Sequence, residues 1–64
     1  MLHFNRPGWY VSARFRFEAE HTGPNGSWEV SDNLGGRGAL FVTVPSLRVA
    51  ERWCEERAIS EFLG

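Results

Sequence analysis

From Trp9 to Glu20 the chain alternates with a period of two: Trp9, Val11, Ala13, Phe15, Phe17 and Ala19 share one phase, and Tyr10, Ser12, Arg14, Arg16, Glu18 and Glu20 the other. Successive side chains of an extended strand point to opposite faces, so this pattern predicts one long strand with an apolar and a polar face. The apolar face needs a second layer. The other long patterned segment is Leu47 to Leu63, where Leu47, Ala50, Cys54 and Ala58 recur at helical spacing with Trp53 and Phe62 on the flanks. Small Ala50, Cys54 and Ala58 facing bulky Trp9, Phe15, Phe17 and Trp28 would let a helix approach the strands closely.

Between these two segments, Ser27 to Asp32 alternates again, with Trp28 and Val30 opposed to Ser27, Glu29 and Ser31. Ala39 to Val44 forms a further strand, Leu40, Val42 and Val44 inward and Phe41 and Thr43 outward. The runs His21 to Gly26 (HTGPNG) and Asn33 to Gly38 (NLGGRG) are clusters of turn residues. Pro45 and Ser46 mark the change of period, with Ser46 as the helix N-cap. Ahead of the long strand, Arg6-Pro7-Gly8-Trp9 suits a tight turn with Pro second and Gly third. Met1 to Asn5 is then either a short first strand folded back on the long one or a loosely held terminus.

The expected fold is therefore α+β: a small antiparallel sheet of three strands, at about 9–20, 27–32 and 39–44, with or without a fourth at the amino terminus, and one helix at about 46–63 packed on one face. Residues 1–64 form a single domain on this reading, since no repeat, low-complexity tract or linker divides them. Arg52 with Glu56 and Arg57 with Glu61 are spaced for pairing along the helix, worth roughly 0.2–0.5 kcal/mol each, and are expected to decorate it without positioning it.

Charge and cysteine usage narrow the function classes. Seven Arg, no Lys and eight acidic residues leave a net charge of −1, which supplies no strong field toward nucleic acid or an acidic membrane. The single Cys54 excludes an internal disulfide and points to a reducing compartment. Met1 to Pro7 is too short and polar for a signal peptide, and no apolar run approaches membrane-spanning length. The expected location is cytoplasmic.

No catalytic constellation emerges. His3, His21 and Cys54 have no spacing that would hold a metal, and read as two surface histidines and a protonated core thiol. Gly35, Gly36, Arg37 and Gly38 could cradle an anion, but phosphate loops feed a helix and this one feeds a strand, which favours a hairpin connection. Glu18, Glu20, Glu29 and Asp32 fall mostly on the solvated side of the sheet. No enzyme activity, cofactor or metal is expected.

The outer sheet face carries the candidate binding residues. Tyr10, Arg14, Arg16 and Phe41, with Arg37 in the adjoining loop, combine aromatic area and guanidinium groups, the types enriched at protein hot spots and nucleic-acid surfaces. Alternatively this is an ordinary solvated face on which Arg14 and Arg16 pair with Glu18, Glu20 or Glu29. Part of the long strand would also outrun its neighbour and offer a free edge, unless the amino-terminal segment covers it.

Two functions follow. The first is a protein-binding module, an inhibitor or adaptor of a larger protein or complex. Very small proteins of this profile are common among phage and mobile-element products, anti-CRISPR inhibitors among them. The second is DNA binding. Three strands followed by a helix, with the passage FVTVPSLRVAERWCEER from Phe41 to Arg57, resemble the domains of AP2-type plant regulators and of the amino termini of some phage integrases, over roughly Trp9 to Ala58. That resemblance implies a sheet inserted in the major groove, with Arg14, Arg16 and Arg37 as phosphate or base contacts. The chain is expected to be a monomer or a homodimer.

Overall fold

The structure, a computed structural model, describes residues 1–23 and 25–63; Pro24 of the expected HTGPNG turn and the final Gly64 lie outside the described residues. Five strands and one helix follow in order: β1 (His3–Arg6), β2 (Trp9–Val11), β3 (Phe17–Thr22), β4 (Ser27–Asp32), β5 (Leu40–Val44) and α1 (Leu47–Leu63). The strands form one antiparallel sheet in the order β1-β2-β3-β4-β5, so every strand pairs with its neighbour in sequence. The α+β class, the antiparallel sheet and the C-terminal helix agree with the sequence; the strand count is higher.

The extra strand arises because the segment Trp9 to Glu20 is not one strand. It reverses direction at Ala13–Phe15, a single 3-10 turn in which Arg14 and Phe15 take left-handed φ values of 59° and 57°. An unbroken strand of that length would run about 40 Å, roughly twice the reach of β4, and its far half would lack a ladder partner. Ser12 closes the reversal: its N–H donates to the Phe17 carbonyl at 2.9 Å and its Oγ accepts the Phe17 N–H at 2.8 Å.

Folding back changes the phase of everything before the turn. Trp9 pairs with Glu20, Tyr10 with Ala19 and Val11 with Glu18, so odd residues of β2 stand beside even residues of β3. Trp9 and Val11, expected inward, therefore lie on the open face. Tyr10, expected outward, lies on the helix side, edge-on to Phe4 and Trp28 at 5.7 and 5.8 Å.

At the amino terminus the strand reading holds: β1 pairs with β2 through a bulge at Asn5, and Gly8 of the Pro7-Gly8 turn has φ +78°, as that third position requires. The segment ahead of β1 is tied to the helix, with the Met1 ammonium 2.7 Å from Glu51 Oε1 and the Leu2 N–H 2.9 Å from Oε2. His21 and Thr22 extend β3 rather than opening the loop.

Phe17, Ala19, Val30, Val44, Ala50 and Cys54 make the core, ringed by Leu2, Tyr10, Trp28, Val42, Leu47, Trp53 and Ala58. Ser46 caps α1, its Oγ accepting the Val49 N–H at 3.2 Å. Phe62 departs from expectation: it is 90% exposed, although Glu61 beside it reaches Arg16. The helix charges do too. Arg57 donates to Asp32 Oδ2 at 2.9 Å and Glu61 accepts from Arg16 Nη2 at 2.6 Å, so these residues pin the helix to the sheet and do not pair with each other. None of the described residues is part of a helix long and apolar enough to cross a membrane.

Candidate binding face

With α1 covering one side of the sheet, the other side is open. Register places its residues in two rows: Arg6, Trp9, Glu20, Glu29 and Thr43 in one, and His3, Val11, Glu18, Ser31 and Phe41 in the other. Phe41 is 56% exposed, and Phe15, at the reversal, is 52% exposed with its ring 6.3 Å from that of Trp9. The Arg6 guanidinium lies 4.6 Å from the centre of the Trp9 ring.

Glu18 is the polar centre of this face and is buried. Arg37 donates to it from Nε and Nη2, both at 3.2 Å, and Asn33 Nδ2 donates to it at 3.0 Å. Asn33 also organises the loops around it. Its N–H donates to the Arg16 carbonyl at 2.7 Å, its Nδ2 to the Phe15 carbonyl at 2.7 Å, and its Oδ1 accepts the Gly38 N–H at 2.8 Å. Gly36 and Gly38 have φ of +121° and +73°, so the GGRG run is the positive-φ connection expected between β4 and β5. The result is a shallow hollow of about 340 Å³ lined by Trp9, Phe15, Glu18, Asn33 and Arg37, with a second of about 190 Å³ beside it reaching Glu20, Glu29 and Ser31.

Of the residues singled out from the sequence, Arg37 and Phe41 lie on this face, and Arg14 is exposed in the reversal beside Phe15. Tyr10 is on the other side of the sheet. Arg16 is also removed from it: Nε and Nη2 donate to the two oxygens of Asp32 at 2.7 and 3.1 Å, and Nη2 also reaches Glu61. Asp32, in the same phase as Trp28 and Val30, is 3% exposed beneath the helix, and Arg16, followed by Arg57, holds its carboxyl well below the usual carboxylate range. Trp9, Phe15, Glu18 and Asn33 were missed as site residues. Asn33 carried a legible signal, an Asn between a strand and a glycine run.

Cys54 is fully buried on the side opposite the open face, where burial pushes its thiol up to about 12. His3 is exposed on β1, while His21 sits against Trp28 at 5.1 Å. No group of three His, Cys, Asp or Glu among the described residues is placed to hold a metal ion.

Fold and face together define a small α+β domain, a five-stranded antiparallel meander with one C-terminal helix and one uncovered sheet face. No protein family matches the chain, nor does any curated protein or solved structure.

Proposed function

We propose that this chain is a small non-enzymatic protein-binding module, an inhibitor or adaptor of a larger protein or complex, and that it binds through the uncovered face of the sheet. The observation that carries this reading is the pairing of Trp9 with Phe15 beside the Glu18–Arg37 ion pair, with Phe41 farther along the same face. Aromatic and arginine side chains around a desolvated polar centre are the usual make-up of protein hot spots.

Backbone strain adds support. Two consecutive non-glycine residues in the left-handed region cost on the order of 1–3 kcal/mol each, and in a small fold such strain concentrates where it serves a function. Here it exposes Phe15 next to Trp9.

Nucleic acid is the second choice. Glu18, Glu20 and Glu29 share the open face, Arg16 is engaged by Asp32 and Glu61, and Arg37 by Glu18. Only Arg14, of the three arginines the DNA reading would use, makes no ion pair among the described residues, and phosphate neutralisation needs several. Size and charge fit an accessory protein of a phage or mobile element, anti-CRISPR inhibitors being one such kind, acting as a monomer or homodimer in the cytoplasm.

The test is capture from the native host's lysate, with and without nuclease, using the parent and a Phe15→Ser/Phe41→Ser variant. Both side chains are more than half exposed, so the variant keeps its core. Protein partners that survive nuclease and are lost with the variant support the reading. Nucleic acid as the captured species, or partners that bind both proteins equally, overturns it.

A further inference from the structure

We infer that the partner presents a basic segment to the open face, with an arginine or lysine side chain seated on Glu20 and Glu29 beside Trp9. This rests on the protein-binding reading above and adds the chemistry of the partner.

Glu20 and Glu29 are directly opposite on β3 and β4, and both are exposed. Like charges at that spacing, about 5 Å between Cβ atoms, repel. The other acids of the sheet are each matched by arginine: Asp32 by Arg16 and Arg57, Glu18 by Arg37. Glu20 and Glu29 enter no ion pair among the described residues. The two arginines near them are directed elsewhere, Arg6 over the Trp9 ring and Arg37 onto Glu18, while Arg48 and Arg52, which enter no ion pair among the described residues, lie on the helix.

The neighbourhood is already one that takes cations. Arg6 lies over the Trp9 ring at 4.6 Å, and Arg37 lies on both oxygens of Glu18 at 3.2 Å. Trp9 stands directly opposite Glu20 in the ladder, so an aromatic wall adjoins the carboxylate pair. The hollow of about 190 Å³ that joins Trp9, Glu20, Glu29 and Ser31 opens to solvent and faces away from the helix; Arg37 also lines it, with its guanidinium held on Glu18. A cationic head group placed there removes the repulsion between the carboxylates and gains cation–π contact at once. A phosphate backbone would meet the same two charges with the wrong sign.

The experiment titrates the isotope-labelled chain with a hexa-arginine peptide, and with hexa-glutamate as control, at about 0.15 M salt, where remote charges are screened. The expected result is saturable shifts of the Glu20 and Glu29 amides and the Trp9 indole, absent with hexa-glutamate and weakened about tenfold or more in Glu20→Gln/Glu29→Gln. That variant removes a repulsion, so its thermal midpoint should not fall below the parent's. Shifts that centre elsewhere, such as Glu55 and Glu56, shifts that survive unchanged in the variant, or dimerisation of the chain through this face in place of peptide binding, would each overturn the inference. Host-lysate capture separates it from the broader reading. Partners lost with Phe15→Ser/Phe41→Ser but kept by Glu20→Gln/Glu29→Gln leave the protein-binding reading standing and sink the basic segment; partners kept by both variants sink both.

Discussion

Arg57 Nε donates to Asp32 Oδ2 at 2.9 Å across the helix–sheet boundary, although Glu61 follows four residues later on its own helix. Arg16 takes the other side of the same carboxylate and passes Nη2 on to Glu61. With the Leu34 N–H also donating to Asp32 Oδ1 at 3.1 Å, one buried acid joins the reversal, the β4–β5 loop and the second half of α1. Removing Asp32 from such a set leaves Arg16 and Arg57, both partly desolvated, without their shared counter-ion.

Asp32→Asn is accordingly expected to destabilise the fold by about 3 kcal/mol, the low end of the range for breaking a buried pair. A domain of this size has on the order of 3–10 kcal/mol in total, so the variant should be close to its limit at room temperature. Urea unfolding of parent and variant checks this; a loss under about 1 kcal/mol would show that the clasp does not hold the helix.

Acid sensitivity follows from the same residue. The folded-state value of Asp32 is depressed, chiefly by Arg16, so its stabilising contribution is complete above the unfolded value of about 3.9 and is lost as pH falls from there toward the folded value. Glu51 adds to this limb, since the Met1 ammonium and the Leu2 N–H lower it against the opposing effect of burial. Urea midpoints should hold roughly level from pH 7 to about 5 and fall below about 4, with a shallower fall in Asp32→Asn. Equal acid limbs in the two proteins would contradict the assignment.

Cys54 should resist alkylation in the native protein. Its thiol is fully enclosed and raised to about 12, first by burial and then by Glu51, so almost no thiolate exists at pH 8. Iodoacetamide labelling should therefore track unfolding, slow in buffer and accelerating steeply through the urea transition. Labelling in buffer at the rate of a free thiol would mean that α1 lifts from the sheet without global unfolding.

Arg14→Gly should stabilise the domain by about 1 kcal/mol, because glycine reaches φ near +60° without steric penalty. Arg14→Val should act in the opposite direction, since a β-branched residue is a poor occupant of that region. Urea midpoints that move the same way for both substitutions would show that this turn relaxes to another conformation.

The legible parts of the fold were those bracketed by chemistry of their own. Ser27 to Asp32 alternates between two turn-rich runs, and its ends are those of β4; Ser46 marks the start of α1, and the helix begins at the next residue. The reversal at Ala13–Phe15 carries no Gly, Pro or Asn, and Ala13 and Phe15 continue the two-residue period straight through it. Alternation says which residues share a face only while the chain keeps its direction. That one misreading moved Trp9 and Tyr10 to the wrong sides, whereas Phe41 and Arg37, beyond the later turns, came out on the open face. Arg16 and Arg57 were obscured for another reason: helical spacing reports partners four residues away, and theirs is Asp32, 16 and 25 residues distant.

The meander has a kinetic consequence. Each strand closes against the one before it through a short connection, so the sheet can zip up hairpin by hairpin with little loop-closure entropy at any step. Helix docking is different, because it must bring together residues far apart in the chain, Arg16 and Glu61 being separated by 45 residues. The slow event in this chain's folding is then the arrival of α1 on a sheet whose open face is already formed, and until it lands both faces of that sheet are exposed to whatever else is in solution.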